Sequence, residues 1–348
     1  MEALIPNQLG VLHPIFRIVM AGRNVTADLS PYLLSVSYTD FVEGEADTLD
    51  IRMEDAEGKF RGSWYPDKGD VVHFHFGYAG DDLQYAGAFE IDEIEGEGPP
   101  DVVVIRAIAA GVKHPQRTHQ GKAYENTTLA AIAQRVARRL KLQLVGKIEP
   151  IKIRRVTQIH ENDLTFMRRL AGEYGYAFSI KGSKMVFFKR SELRQCKPIL
   201  VLSRSELTRY HVKDKIMGVV REAQVAYHDA KTKRLKHYKV QDTDRTGKGS
   251  ASEDRLKLNV RVESEEQAKA KAKAALEEAN IDATQLELTL FGNPKLVAGI
   301  NFYLEDMGKF GGTYHVVRSR HDMDRGGGYR TEIEAKRVTE KQLGASNG

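Results

Sequence analysis

A pair of histidines is the first candidate for chemistry in this sequence. His73 and His75 are separated by one residue, so a β-strand would place both rings on the same face. A zinc site needs three or four protein ligands, and no third ligand of a suitable type is indicated nearby. We therefore predict that this pair lies on a solvated strand face and binds no metal.

A second histidine group lies near the end of the chain. His315 and His321 precede Asp322 and Asp324, close to the glycine run Gly326–Gly328. The glycines predict a hairpin turn, and aspartates beside such a turn commonly bond their own backbone. We predict neither a metal site nor a catalytic role for this group.

Acid–base catalysis would need two ionisable groups at a defined separation across a cleft. The segment His160–Asp163 contains suitable side chains, but Asn162 and Asp163 are preferred residues for a helix N-terminus. Adjacent acids such as Asp92 and Glu93 belong to a generally acidic region in which no one pair stands out. Neither set indicates an active site.

Phosphate binding and nucleophilic catalysis are not indicated either. The glycines of Gly96–Gly98 and Gly326–Gly328 lie between strand patterns, without the helix and lysine of a phosphate-binding loop. The single cysteine, Cys196, has no indicated catalytic partner and is predicted to serve in packing. We predict no catalytic, cofactor-binding or metal-binding residues, and no enzyme activity.

Two basic segments, Arg135–Lys141 and Arg168–Arg169, are the candidates for contact with nucleic acid. Both fall on predicted helices, where charged residues usually face water. A nucleic-acid-binding module is therefore the alternative interpretation, and we expect no sequence-specific recognition.

The composition is that of a globular chain with two or three domains. Its 348 residues are 41% hydrophobic and 29% charged, and no apolar run approaches the ~20 residues of a membrane helix. Glu2 and Pro6 interrupt the region where an export signal would lie, so we expect residence in the cytoplasm. Residues 1–100 hold 19 acidic and 6 basic residues (net −13), and residues 101–348 hold 29 and 47 (net +18). This polarity favours self-association or docking to a partner.

A β-strand pattern that occurs twice in the sequence would position the histidine and acidic candidates named above. Each copy has a short strand, a longer strand and a hairpin back to a closing strand. The first copy consists of Gly69–Val72, Gly87–Ile94 and Asp101–Arg106. The second consists of Ala298–Phe302, Gly312–Arg318 and Tyr329–Glu334. The repetition predicts two related β-modules in one chain.

Helical patterns lie between and within these modules. Apolar spacing predicts an amphipathic helix over 127–140, and a second helix follows Asn162 and ends at Gly175. Residues 218–228 and 234–240 read as a basic hairpin. Ser264 opens a capping box for a helix over 265–279, which we expect to lie against the second module.

We predict a mainly β fold with an α+β insert. Residues 1–115 form the first β-barrel module, residues 116–195 the insert, and residues 196–340 the second module. The polar segment 241–254 in the second module is predicted to be a mobile loop. Residues 341–348 are predicted to form a disordered tail.

The middle and end of the chain resemble the late control protein D family, the baseplate hub proteins of contractile phage tails. The resemblance covers nearly the whole chain and is clearest from Ala123 onward. It rests on Glu161–Ala171, Glu173–Tyr176, Phe178–Gly182, Gly292–Gly299, Gly312–Val316, Ser319–His321 and Gly328–Ile333.

This resemblance implies a structural adaptor. Members of the family form homotrimeric rings, in which two tube-like β-barrels per chain imitate six subunits and join a hexameric tail tube to a trimeric spike. The acidic and basic modules would then add charge complementarity around the ring. Expected partners are further copies of the chain, a separate spike protein, a tube or tube-initiator protein, other baseplate proteins and the tape-measure protein.

The resemblance also implies a location and leaves alternatives open. The protein would assemble in the host bacterial cytoplasm and end at the tail tip of a phage or a phage-tail-like bacteriocin. The family has no catalytic residues to transfer to this chain. A nucleic-acid-binding β-barrel is the alternative function, and a tail-associated peptidoglycan hydrolase is a more distant one.

Overall fold

The computed structural model describes residues 13–109, 120–229, 234–242, 254–260, 262–326 and 328–338. The fold is mainly β, with one sheet of 13 strands and three small sheets. The predicted tail over 341–348 and most of the predicted mobile loop over 241–254 lie outside the described residues. No helix in the described ranges has the length and apolar character needed to cross a membrane.

The first part of the chain contributes seven strands to the large sheet. They are β1 (Pro14–Met20), β2 (Arg23–Asn24), β3 (Leu33–Phe41), β4 (Thr48–Glu54), β5 (Val71–Tyr78), β6 (Gln84–Glu97) and β7 (Val102–Ala109), with a short helix α1 (Thr26–Leu29). Alternation along β4 buries Leu49, Ile51 and Met53 in the first core.

The middle of the chain has its own hydrophobic core. Its elements are β8 (Gln120–Thr128), α2 (Leu129–Arg139), β9 (Gln143–Val145), β10 (Lys152–Glu161), α3 (Asp163–Glu173), β11 (Tyr176–Lys181), β12 (Lys184–Lys189) and α4 (Arg190–Gln195). Strand β10 pairs with β8, and β11, β12 and β9 form a second small sheet. Side-chain caps start both longer helices: Thr128 accepts from the Ala131 amide, and Asn162 accepts from the Thr165 amide at 2.8 Å.

The last part returns to the large sheet. Its strands there are β13 (Leu200–Ser203), β14 (Leu207–Asp214), β18 (Thr284–Phe291), β19 (Asn301–Glu305), β20 (Gly312–Asp324) and β21 (Gly328–Arg337), with 3-10 turns at Arg204–Glu206 and Gly308–Phe310. Between β14 and β18 the chain forms a separate sheet from β15 (Glu222–Asp229), β16 (Arg234–Gln241) and β17 (Arg255–Leu258).

Helix α5 (Glu265–Ile281) packs mainly on this separate sheet, against β15 and β16. Its small residues Ala268 and Ala272 contact a core that includes Ala223 and Val225. The Ser264 hydroxyl caps the helix by accepting from the Gln267 amide. The predicted capping box is incomplete, because Gln267 Oε1 accepts from the Glu263 amide and not from the Ser264 amide. The basic hairpin predicted over 218–240 is the antiparallel pair of β15 and β16.

The two β-modules share one strand order. The first runs β3-β4-β7-β6-β5-β1 and the second runs β14-β18-β21-β20-β19-β13, so equivalent strands occupy equivalent places. One pairing differs, because β1 is antiparallel to β5 whereas β13 is parallel to β19. The pattern read from the sequence therefore corresponds to a real repeat of topology.

Two β-bulges recur at equivalent places in this topology. The register of β3 against β4 shifts between Leu33 and Ser35, and the register of β14 against β18 shifts between Leu207 and Arg209. A β-bulge is a local irregularity that follows from particular backbone geometry. Its recurrence makes a residue-by-residue alignment of the modules possible.

The second shared bulge lies in the long hairpin of each module. The register of β6 against β7 shifts between Ile91 and Glu93, and the register of β20 against β21 shifts between Val316 and Arg318. The two bulges together fix which residue of one module corresponds to which residue of the other.

A close contact at Gly292 provides a test of the packing between the modules. An alanine Cβ there would lie 2.0 Å from Cδ1 of Tyr329, a ring that the first hydrophobic core surrounds. We expect Gly292→Ala to lower the free energy of unfolding by about 2 kcal/mol or more. Thermal denaturation with Gly121→Ala as control, where a Cβ meets no atom within 4 Å, checks this; equal melting temperatures would contradict it.

Candidate assembly interface

The two β-modules meet in a strand-to-strand joint. Strand β3 of the first module pairs antiparallel with β20 of the second, from Ser35 opposite Asp324 to Phe41 opposite Arg318. The joint makes the two modules parts of one continuous sheet. The joint is an observed example of two such modules associating through their strand edges.

The core side of the joint is aromatic. The His321 ring stacks on Tyr38 with a centroid distance of 5.9 Å and an interplanar angle of 12°, and it contacts Phe76 at 4.6 Å. Its Nδ1 lies 2.8 Å from the Tyr329 hydroxyl. Burial lowers the pKa of His321 to about 4, although the Leu296 carbonyl and Asp322 favour the charged form. The imidazole is therefore neutral at pH 7 and serves in packing.

The outer side of the joint is polar. The Ser37 hydroxyl donates to Asp322 Oδ1 at 2.6 Å, and Arg320 Nε donates to the same oxygen at 3.1 Å. The predicted hairpin turn is present, since β20 and β21 pair as far as Asp324 opposite Gly328. His321 and Asp322 lie on the strand that enters this turn, at positions that also pair with β3 in the joint. Asp324 does bond its own turn, since its Oδ1 accepts from the Gly326 amide at 2.8 Å.

An ion cluster fastens the middle of the chain to the first module beside the joint. Lys181, at the end of β11, places Nζ 2.6 Å from Asp40 Oδ1 and 2.6 Å from Asp47 Oδ2. Asp40 also accepts from the Ala298 amide at 2.9 Å, so this carboxylate contacts all three parts of the chain. Both carboxylates are buried.

Burial and charge have opposite effects on the pKa values in this cluster. Burial raises the pKa of Asp47 to about 6, and the attraction of Lys181 only partly offsets that effect. For Lys181, burial alone would lower the pKa, but Asp40 and Asp47 together leave it raised. The lysine is therefore charged at pH 7, as a bridge between two buried acids requires.

A second bridge lies next to the ion cluster. Arg190 donates to Glu43 Oε2 and to Glu278 Oε2, both at 2.9 Å. Its guanidinium thus connects the first module, the middle of the chain and helix α5. Sequence reasoning missed Lys181 and Arg190, because their partners are more than 80 residues away in the chain.

The other histidine candidates also have structural partners. His315 Nδ1 lies 2.7 Å from Asn301 Oδ1, and burial, with nearby Arg194 and Lys336, lowers the pKa of His315 to about 4. His73 Nδ1 lies 2.8 Å from the Tyr85 hydroxyl. Among the residues the structure describes, no group of three or more His, Cys, Asp or Glu side chains could hold a metal ion.

The remaining predicted residues have mixed outcomes. Asn162 caps α3 as expected, but Asp163 is buried and accepts from Arg139 Nε at 2.7 Å. Cys196 is exposed, so its predicted packing role is wrong.

The basic segments are partly engaged in the fold. Arg139 is bonded to Asp163 and to the Tyr124 hydroxyl, and Arg169 is bonded to Glu161 and Glu173. Two of the arginines considered for nucleic acid therefore hold the middle of the chain together.

Comparison with known proteins identifies relatives of the chain. Residues 95–327 match the family model described as phage tail baseplate hub (GPD). The probable baseplate hub protein of Escherichia phage P2 is 32% identical over 217 residues, which cover 61% of this chain and 55% of that protein. The corresponding protein of Escherichia phage 186 is 32% identical over 180 residues, covering 51% and 46%. The chain spans about half the length of these curated relatives.

Solved structures share the fold at low sequence identity. A tail protein from Neisseria meningitidis MC58 has a TM-score of 0.70 and 12% identity, over 95% of this chain and 98% of that one. The 43 kDa tail protein of prophage MuSo2 from Shewanella oneidensis has a TM-score of 0.68 and 12% identity, over 94% and 99%. An E. coli component of the type VI secretion system has a TM-score of 0.56 and 13% identity, over 93% and 77%. At these identities the similarity shows the fold alone.

The raised pKa of Asp47 predicts a specific pH dependence of stability. A carboxyl with a pKa of about 6 in the folded chain and 3.8 ordinarily stabilises the fold below pH 3.8, and this contribution is lost as the pH rises through about 6. The Asp47→Asn variant has no carboxyl at this position, so this pH-dependent contribution is absent from it. Between pH 4 and 7, the wild type should therefore lose on the order of 2 kcal/mol more unfolding free energy than the variant.

Urea denaturation at several pH values, at a protein concentration where the association state is constant, measures this difference. Asp81→Asn, at an exposed position, is the matched control and should follow the wild type. Parallel pH profiles for Asp47→Asn and the wild type would contradict the role assigned to Asp47.

Proposed function

We propose that this chain, which belongs to the phage tail baseplate hub (GPD) family, is the structural hub of a contractile tail baseplate. The family match over residues 95–327 carries the proposal. The two phage relatives are themselves described as probable baseplate hub proteins. In this role the chain acts through its assembly geometry and not as a catalyst.

The proposed assembly is a homotrimeric ring of six tube-like β-barrels. Two modules with one strand order and shared bulges support it, because each chain then supplies two similar units to the ring. We assign the modules to residues 1–115 and 196–340, and the insert to residues 116–195. Such a ring would match a hexameric tube on one side and a trimeric spike on the other.

The proposed partners follow from this position. They are a spike protein, a tube or tube-initiator protein, other baseplate proteins and the tape-measure protein. The protein would assemble in the bacterial cytoplasm and remain at the tail tip of the particle, whether a phage or a tailocin. This chain spans about half the length of its curated relatives, so the partners and the location in the particle are both part of the proposal.

The mass of the protein in solution tests the proposed trimer. We expect multi-angle light scattering to give three times the 39.1 kDa of one chain, and electron microscopy of the same fraction to show a ring with a central opening. Because the two parts of the chain carry opposite net charges, dissociation should increase with salt concentration.

Two controls sharpen this measurement. Co-expression with a candidate spike protein tests whether the trimer needs its partner. Nucleic-acid binding that falls steeply with salt would favour the alternative function. A strict monomer at high concentration, both alone and with the spike protein, would contradict the trimeric hub.

A further inference from the structure

We propose that copies of this chain join by pairing β14 of one copy with the C-terminal half of β6 of the next, in the register of the internal joint. The inference rests on the homo-oligomer of the proposed function and specifies its contact. Residues 211–215, which are the end of β14 and the one residue that follows it, would pair antiparallel with residues 93–97. The occupant of each strand edge is therefore a second copy of this chain.

The repeated strand order leaves one pair of corresponding strand edges open. In the internal joint, β3 pairs with β20 beyond the point where β19 ends, since β19 reaches only His315. The counterparts in the other module are β14 for β3 and β6 for β20. Strand β5 likewise pairs with β6 only as far as Glu90. Within the described ranges, no strand pairs with the outer edge of β14 or with that side of β6 after Ile91.

The shared bulges transfer the register of the joint to these open edges. They equate Glu93 with Arg318, and they equate Arg209 with Ser35. The internal pairs can then be rewritten residue by residue. The resulting cross-strand pairs are Glu93 with Lys215, Glu95 with Lys213, and Glu97 with His211.

Charge supports this register. Two of the transferred pairs place a glutamate opposite a lysine, and opposite-charge pairs directly across two strands are stabilising. The third places Glu97 opposite His211, whose ring nitrogens can bond to a carboxylate. At the internal joint the same positions hold the pairs Phe41 with Arg318, Thr39 with Arg320, and Ser37 with Asp322. The charge complementarity is therefore specific to the open edges, because the equivalent pairs at the internal joint do not have it.

Exposure and existing contacts are compatible with the pairing. His211 and Lys213 are exposed on β14, and Glu97 is exposed on β6. Glu97 and Glu95 already bond to Arg52 and Arg106, at 2.9 and 3.0 Å, in partly exposed pairs. An incoming lysine or histidine would extend these pairs into a network.

The same charges restrict which edges can meet. Two β14 edges would oppose each other with basic residues, and two β6 edges with acidic residues, and like charges across a sheet are unfavourable. Each copy therefore offers one basic edge and one acidic edge. A head-to-tail contact of this kind generates a closed ring when its rotation closes. Pro99 and Pro100 end the acidic edge, because proline has no amide hydrogen to donate.

Disulfide cross-linking tests the register. In a Cys196→Ser background, Glu95→Cys combined with Lys213→Cys should give covalent oligomers under mild oxidation. The matched control combines Glu95→Cys with Arg209→Cys, four residues along β14 and so about 13 Å from the predicted position. It should give far less cross-linked product on a non-reducing gel.

Light scattering of the same samples separates the possible failures. Cross-links confined to the Lys213→Cys variant support the inference. An associated protein in which neither pair cross-links, or both do equally, overturns this joint and leaves the proposed trimer standing. If the variants give no cross-link and the wild-type chain stays monomeric both alone and with the spike protein, the joint and the proposed trimer are overturned together.

Charge reversal gives an independent test of the same contact. Glu95→Lys should raise the dissociation constant of the oligomer at least about tenfold at low salt. Adding Lys213→Glu to that variant should recover most of the loss, whereas adding Lys68→Glu, an exposed change elsewhere, should not. Equal behaviour of the two double variants would overturn the predicted pairing of Glu95 with Lys213.

Discussion

The hydrogen-bonding requirement of strand edges is the constraint on which this structure depends. A long strand exposes backbone donors and acceptors that must find partners in protein or water. Strand β20 extends beyond the end of β19, and β3 from the other module pairs with the remaining half. One strand thus belongs to both modules. The two β-modules therefore form one sheet because β20 is longer than its neighbour β19 and leaves part of its edge free to pair with β3.

Polar contacts around the joint fix its geometry more than they add stability. Asp40 and Asp47 are buried and Lys181 is half-buried, and removing charges from water costs nearly as much as their attraction returns. Arg190 and Asn301 act in the same way, since each bonds to groups from separate parts of the chain. For a protein whose proposed role is to match the geometry of other assemblies, a fixed angle between modules matters more than a few kcal/mol.

The repeat also explains how one chain can carry two kinds of surface. Equivalent positions retain strand order and bulges, while their side chains differ. Thr39 and Arg320 pair inside the chain, whereas the equivalent Lys213 and Glu95 lie on open strand edges. The backbone thus supplies a common way of joining, and charge distinguishes the internal joint from the open one. Backbone hydrogen bonds can form between any two strand edges and so do not distinguish partners. Opposite side-chain charges do distinguish them, because like charges across two strands repel.

The sequence by itself determined the local structure. Alternation along β4, the apolar spacing of α2 and the cap residues Asn162 and Ser264 specify their elements through contacts between near neighbours. It also showed the repeat and the uneven charge, since both are properties of composition and order. Only the tertiary structure decided that His321 lies buried between modules, that Asp163 pairs with Arg139, and that Lys181 bridges Asp40 and Asp47. Those roles depend on burial and on partners at least 24 residues away in the chain, and no local pattern encodes either.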